Sequence, residues 1–280
     1  MEGTAENYFG YDLGYDNAQT IVAGTTYANP SFGGNIAGTM WKTKGNRSRK
    51  YDFTYDAASR LTSADFNQHD NGSFNKTAGI DFSVSNLTYD ESGNILKMTQ
   101  KGWKVNSSPI IDNLDYFYAA SSNKLINVTD ANNDVNSTLG DFKEPTSTTG
   151  NDYTYDANGN LTSDKNKGIT SILYTHMNMP YEINIAGKGK ITYTYDNLGN
   201  KLKKVVVDNT VTPAVTTTWL YIQNFVYKDD VMQFFTHEEG RARYDVSEGT
   251  GEARKFDFDY FLKDHLGNVR MVLTEEKGTA

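Results

Sequence analysis

The feature that most restricts how this chain can fold is a short pattern that returns along it: aromatic-x-Tyr-Asp-x-x-Gly-Asn-x-Leu. It reads Tyr153-Thr154-Tyr155-Asp156-Ala157-Asn158-Gly159-Asn160-Leu161, then Tyr193-Thr194-Tyr195-Asp196-Asn197-Leu198-Gly199-Asn200-Lys201-Leu202. An earlier copy is Leu87-Thr88-Tyr89-Asp90-Glu91-Ser92-Gly93-Asn94-Ile95-Leu96. Phe53-Thr54-Tyr55-Asp56-Ala57-Ala58-Ser59-Arg60-Leu61 lacks the glycine, and Asp264-His265-Leu266-Gly267-Asn268 lacks the tyrosine. Degenerate units surround Tyr118 and Tyr174. Self-similarity of this kind marks an array of small supersecondary units.

Each part of the pattern has a physical task. Ile191, Tyr193 and Tyr195 fall on one face of a strand. The aspartate ends that strand, and its carboxylate is placed to accept N–H groups two or three residues on. Glycine and asparagine tolerate the positive φ that a tight reversal needs. An aliphatic residue then opens the return strand. The sum is a β-hairpin signal, repeated. Other segments alternate in the same way: Val215, Thr217, Trp219 and Tyr221, and again Phe256, Phe258, Tyr260 and Leu262. Phe225-Val226-Tyr227 and Val231-Met232-Gln233-Phe234-Phe235 flank a further turn at Lys228-Asp229-Asp230. No amphipathic helix is predicted, because Asn, Thr, Ser and Gly are scattered too densely. The larger gaps, from Tyr55 to Tyr89 and from Tyr118 to Tyr155, hold polar stretches, such as Asp130 to Gly150, that read as long loops.

Composition narrows the architecture. Hydrophobic residues are 37% of the 280-residue chain, whereas aromatics reach 13%. Few aliphatics and many tyrosines favour a thin curved sheet over a thick dry core, since tyrosine packs at one end and stays wet at the other. A net charge of −8 without clustered Lys or Arg argues against nucleic acid. Cysteine is absent, which removes disulfides and thiolate metal sites. No run is long and apolar enough for a transmembrane helix, and no signal peptide is recognisable at Met1. The opening MEGTAENYFG reads as an interior segment.

No catalytic, cofactor-binding or metal-ligating residue is assigned. His69, His176, His237 and His265 are isolated and lack metal-ligand spacing. Asp156 to Asn160 and Asp130 to Asp134 loosely resemble calcium loops, but neither has the later bidentate glutamate or flanking helices. Asp257 with Asp259 can be imagined as a glycosidase pair, yet alternation would put both on a solvent face. Trp41, Trp103 and Trp219 could form sugar-stacking platforms; burial between sheet faces explains them equally well.

Taken together, these motifs resemble the Rhs, or YD-repeat, family, in polar versions like those of Bacteroidetes-type bacteria. The units at Tyr89, Tyr155 and Tyr195 carry the likeness. Tyr260-Phe261-Leu262-Lys263-Asp264-His265-Leu266-Gly267-Asn268-Val269-Arg270 resembles the start of the Rhs repeat-associated core. The resemblance implies an all-β fold, a YD-repeat β-hairpin array forming a continuous, curved antiparallel sheet as part of a shell. It implies one β domain over residues 1–280: N-terminal strands in 1–50, repeats with loop insertions in 51–205, and repeats leading into the core in 206–280. The implied role is a non-enzymatic shell segment of a bacterial polymorphic toxin or cell-surface protein, here a fragment, secreted or surface-located. Its partner would be a C-terminal toxin or effector domain or other parts of the parent chain. Open strand edges would permit self-association. The alternative is a binding module for surface glycans using exposed Tyr and Trp. No nucleic-acid partner, membrane insertion or cofactor is expected. The self-cleavage motif of some members has no counterpart, and that activity is not carried onto Asp264.

Overall fold

A computed structural model of the protein describes residues 9–20, 22, 24–105, 107–145, 150–244 and 256–275. Every regular element among them is a β-strand. The chain divides into two compact units, Met1–Asp152 and Tyr153–Ala280.

In the first unit the strands are β1 (Phe9–Gly14), β2 (Gly38–Thr43), β3 (Arg49–Tyr55), β4 (Leu61–Asp70), β5 (Ser73–Asn75), β6 (Val84–Tyr89), β7 (Ile95–Lys101), β8 (Ile110–Tyr118) and β9 (Leu125–Asp130). They form one nine-stranded sheet in chain order, except that β5 pairs only with β4 and lies off the main path. The ladders are antiparallel, as short hairpin connections require. With its loop stretch limited to residues 76–83, the gap between Tyr55 and Tyr89 is mostly strand. It folds as β4, a β5 return and β6, because Asn71-Gly72 supplies the two positive-φ residues of a tight hairpin turn. Residues 131–145 and 150–152, by contrast, hold no strand, as their polar composition predicts.

At β1 to β3 one face of this sheet is covered by the chain itself. Residues between β1 and β2 fold back so that Tyr27, 2% exposed, packs with Ala37 and Met40. Its ring lies on Gly14 and Gly38, which face each other across the β1–β2 ladder. A Cβ on either glycine would stand 2.2 or 2.3 Å from a ring carbon, so only glycine fits both positions. Beside the ring, the buried Lys50 ammonium meets Asp52 at 2.8 Å and donates to the Thr26 carbonyl at 2.8 Å. Asp52 also accepts the Ala28 N–H at 2.9 Å. These groups bury charge at tolerable cost because each is paired and hydrogen-bonded. Tyr51 points the other way, as its neighbour in a pleated strand must. There it stacks on Trp41 at 5.7 Å and meets Phe66 edge-on at 5.3 Å, and Phe66 continues to Phe82 at 5.3 Å.

In the second unit each strand pairs with its successor. The order runs β10 (Tyr153–Tyr155), β11 (Leu161–Asp164), β12 (Ile169–Tyr174), β13 (Pro180–Ile185), β14 (Gly189–Tyr195), β15 (Lys201–Asp208), β16 (Val215–Ile222), β17 (Phe225–Lys228), β18 (Val231–His237), β19 (Gly240–Tyr244), β20 (Phe256–Lys263) and β21 (Val269–Thr274). This is a meander of twelve strands in an open sheet. Fold class is thus as expected: all-β and built of successive antiparallel hairpins, with the ladders distributed over two sheets.

Candidate functional site

The recurring element is the turn, and its geometry is the same at each complete copy. Gly159 donates its N–H to the Asp156 carbonyl at 3.1 Å, and the Asp156 N–H returns to Asn160 O at 2.9 Å. Asp56, Asp90, Asp196 and Asp264 repeat both bonds with the residues three and four positions on. The fourth residue of the turn is left-handed: φ is +88° at Gly93, +89° at Gly159, +87° at Gly199 and +83° at Gly267. This is a three-residue hairpin loop closed by a bulge. Accordingly the register slips one residue at Tyr55, Tyr89, Tyr155 and Tyr195. The copy without glycine is no exception, since Ser59 takes φ +60° in the same place.

The side chains complete the turn. Asp156 Oδ1 accepts N–H groups from Asn158 at 2.9 Å and Asn160 at 2.8 Å, two and four residues on. The expected third-residue contact is instead made by the carbonyl of Asp156. Asparagine is not there for positive φ, contrary to the sequence reading. The Asn160 amide donates to the second aspartate oxygen, Oδ2, at 2.9 Å, and Asn94 and Asn200 do the same to Asp90 and Asp196 at 2.7 and 2.8 Å. In the Asp56 copy, Arg60 fills this role through Nε at 2.7 Å. These bonds stabilise the ionised carboxylate. The Asn160, Asn94 and Asn200 amides hold Asp156, Asp90 and Asp196 below the usual carboxylate range, and the Arg60 N–H does so for Asp56.

The tyrosine reaches backwards. Tyr89 donates its hydroxyl to the carbonyl of Leu61, the residue that closes the preceding Asp56 turn, at 2.6 Å. Tyr118 reaches Ile95 at 2.8 Å, Tyr174 reaches Leu161 at 2.7 Å, and Tyr195 reaches Pro180 at 2.8 Å. Each acceptor holds the same place in its own turn. The sequence separation of donor and acceptor varies from 13 to 28 residues, while the bond does not change. Neighbouring turn tips are linked too. Arg60 Nη1 donates to the Asp90 carbonyl at 2.8 Å, with its guanidinium 4.7 Å from the Tyr89 ring centroid. The amides of Asn94 and Asn160 donate to Asn123 Oδ1 and Asn178 Oδ1, each at 2.9 Å. These cross-links were invisible in the sequence, where only the recurrence of the tyrosine hinted at a shared duty.

Asp257 and Asp259 require correction. They do not face solvent: they are 5% and 2% exposed. Across the β19–β20 ladder Arg243 stands opposite Asp257 and Arg241 opposite Asp259. Asp259 accepts Arg241 Nε at 2.8 Å, Arg243 Nε at 2.9 Å and Arg243 Nη2 at 3.1 Å. Burial alone would raise its pKa, but the guanidinium bonds prevail and lower it to about 2. The signal available in the sequence was two arginines spaced by two, facing two aspartates spaced by two. Asp81 behaves alike, drawn down to about 2 against burial by Ser83, Lys101 and Lys76. Asp112 is the reverse case. Burial raises its pKa against the Phe142 N–H bond, and the charges of Asp130 and Asp141 push the same way.

The other weighed groups are dispersed. His69 lies edge-on to Phe74, and His237 lies against Phe258 and Tyr260. His176 and His265 stand in turns. Trp41 packs on Tyr51, Lys228 sits 5.8 Å over Trp219, and Trp103 is 43% exposed. In the calcium-like segments Asp156 is occupied by its own turn, and Asp130 Oδ1 accepts N–H groups from Asn113 and Asn132. Among the described residues no group of three or more His, Asp or Glu side chains is placed to hold a metal ion. No helix among them is long and apolar enough to cross a membrane.

The class defined by these features is an open array of antiparallel hairpins, in which five aspartate turns share one geometry and four tyrosines tie a turn to its predecessor. No protein-family model and no curated protein matches the chain. Among solved structures it is similar to a TcdB2-TccC3-TEV crystal structure, with a TM-score of 0.36 and 14% identity, over 95% of this chain and 16% of that one. A TcdB2-TccC3 crystal structure gives a TM-score of 0.36 and 13% identity, over 95% and 17%. The Tc holotoxin pore of Photorhabdus luminescens gives 0.33 and 14%, over 95% and 16%. The chain thus spans about a sixth of the length of the structures it matches.

Proposed function

We propose that the chain is a non-enzymatic wall segment of an Rhs-type secreted or cell-surface protein, and that the wall encloses or presents a C-terminal effector domain. One observation carries this reading. In four cases a tyrosine ties a turn to the one before it, over separations of 13 to 28 residues, so at these joints hairpins can be added or enlarged without altering the bond. A sheet assembled in this way grows in one direction and twists as it grows, which is how a strip becomes a wall. The chemistry built into the repeat is spent on holding turns: Asp156 and Asp196 use both carboxylate oxygens within their own loops.

Limited proteolysis of the full-length parent polypeptide tests the proposal. The domain following the array should be cleaved far more slowly with the array folded than when that domain is produced alone. Equal cleavage rates would overturn the wall reading. A screen of glycosides and peptides as substrates addresses the non-enzymatic part, which one reproducible turnover would sink.

A further inference from the structure

The β17–β18 hairpin closes through Asp229 and Asp230, with φ of +48° and +66°. Two left-handed residues in succession suit a two-residue turn, and Asn-Gly is the usual occupant because aspartate pays a steric cost there. Asp229 repays it: its carboxylate accepts the Thr218 N–H at 2.7 Å, and its own N–H donates to Thr218 O at 2.8 Å. Asp230 makes no hydrogen bond or ion pair among the described residues. Lys228, the basic residue of the same hairpin, is engaged over the Trp219 ring at 5.8 Å.

Beside Asp230 the sheet has a pocket of ≈ 480 Å³ lined by Tyr227, Asp230, Val231, Met232, Tyr244 and Phe256. Its aromatic walls are set by register. Tyr227 pairs with Met232 across β17–β18, and Tyr244 pairs with Phe256 across β19–β20. The Tyr244 and Phe256 rings are 5.8 Å apart and inclined at 54°, so they do not close flat on one another. All three rings remain half-exposed.

Aromatic faces carry negative potential, which repels a carboxylate and attracts a cation. Here an uncommitted carboxylate shares a concavity with three rings and a polarizable thioether. A neutral apolar ligand would leave Asp230 unused. A bare metal ion would find too few oxygens. A strongly hydrated primary ammonium would lose more water than the rings replace. We infer that this pocket binds an alkylated ammonium group, with Tyr227, Tyr244 and Phe256 covering its methyl groups and Asp230 balancing its charge.

Titration of the full chain with choline, followed by NMR of the Met232 methyl group, tests this directly. Choline should bind about tenfold more tightly than its neutral tert-butyl analogue, the ratio that one to two cation–π contacts supply. Asp230→Asn should weaken choline about fivefold, and Tyr227→Leu should weaken it further. Asp230→Asn lies in an exposed turn and keeps a side chain tolerant of positive φ, so it reports on binding even if Tyr227→Leu loosens the sheet. Free trimethyl-lysine and phosphatidylcholine vesicles, titrated in parallel, separate a modified side chain from a lipid headgroup as the source. Equal binding of the neutral analogue, an Asp230→Asn protein that binds choline as well as the parent, or no binding of any of the three cations would overturn the assignment.

Discussion

The hydroxyl of Tyr89 donates to the carbonyl oxygen of Leu61 at 2.6 Å, although 28 residues separate them. The intervening chain includes the whole β5 excursion, and the bond is indifferent to it. This bond joins consecutive hairpins alongside the Arg60 link to the Asp90 carbonyl. Tyr89→Phe removes the hydroxyl and keeps the ring, together with its contact to Arg60. The expected loss is about 0.5–1.5 kcal/mol. Urea unfolding should show a lower midpoint with an unchanged slope; an unmoved midpoint would mean the tie contributes nothing.

Gly159 and Ser59 occupy equivalent places in their turns, with φ of +89° and +60°. Substitution should act in opposite directions at the two sites. Gly159→Ala imposes a left-handed alanine and should cost about 1–2 kcal/mol. Ser59→Gly relieves the same strain but frees the unfolded chain, for a net gain of up to about 1 kcal/mol. Paired thermal melts of the two variants check the signs, and a Ser59→Gly protein that melts lower would refute the equivalence.

Asp259 is nearly fully buried and takes hydrogen bonds from two guanidinium groups. Replacing both Arg241 and Arg243 with alanine strands its charge. Breaking a buried pair from one side costs about 3–5 kcal/mol, and the partly exposed arginines reduce this to about 2–3 kcal/mol. Adding Asp259→Asn to the double variant should restore part of the loss, because a neutral amide needs less compensation. Chemical denaturation of the parent, the double variant and the triple variant would show the recovery or its absence.

Acid should act on the two kinds of aspartate with opposite sign. Asp81 and Asp259 have folded pKa values of about 2, below those of the unfolded chain. Their stabilisation is complete above the unfolded value and fades as pH falls toward 2. The turn residues Asp56, Asp90, Asp156 and Asp196 are also lowered and follow the same course. Asp112 is raised, so the native state gains stability as pH drops through its folded value. Acid titration should therefore weaken the protein less after Asp259→Asn, and more after Asp112→Asn. A steeper loss in the first or a shallower loss in the second would contradict these assignments.

Much of the turn was legible beforehand. Tyr-Asp-x-x-Gly-Asn-x-Leu specifies a strand end, a carboxylate for orphan N–H groups, a left-handed residue and a return strand, all within ten residues of chain. What it left ambiguous was division of labour: asparagine passes for a turn former until its amide is seen on Asp156 Oδ2. Burial was harder to foresee. Asp257-x-Asp259 looks like a wet strand face because alternation tells which residues share a side, not what covers that side. The covering group, Arg241-x-Arg243, belongs to another strand, and only the β19–β20 register brings it opposite.

By itself, then, the amino-acid order determined the hairpins, their turns and the all-β class, since these depend on interactions between residues near one another in the chain. Tertiary structure alone decided that Tyr89 meets Leu61, that Tyr27 rests on Gly14 and Gly38, and that Tyr227, Tyr244 and Phe256 border one pocket with Asp230. Those contacts depend on strand register and loop return. Both are set by the summed packing of the whole sheet, and no local segment encodes them.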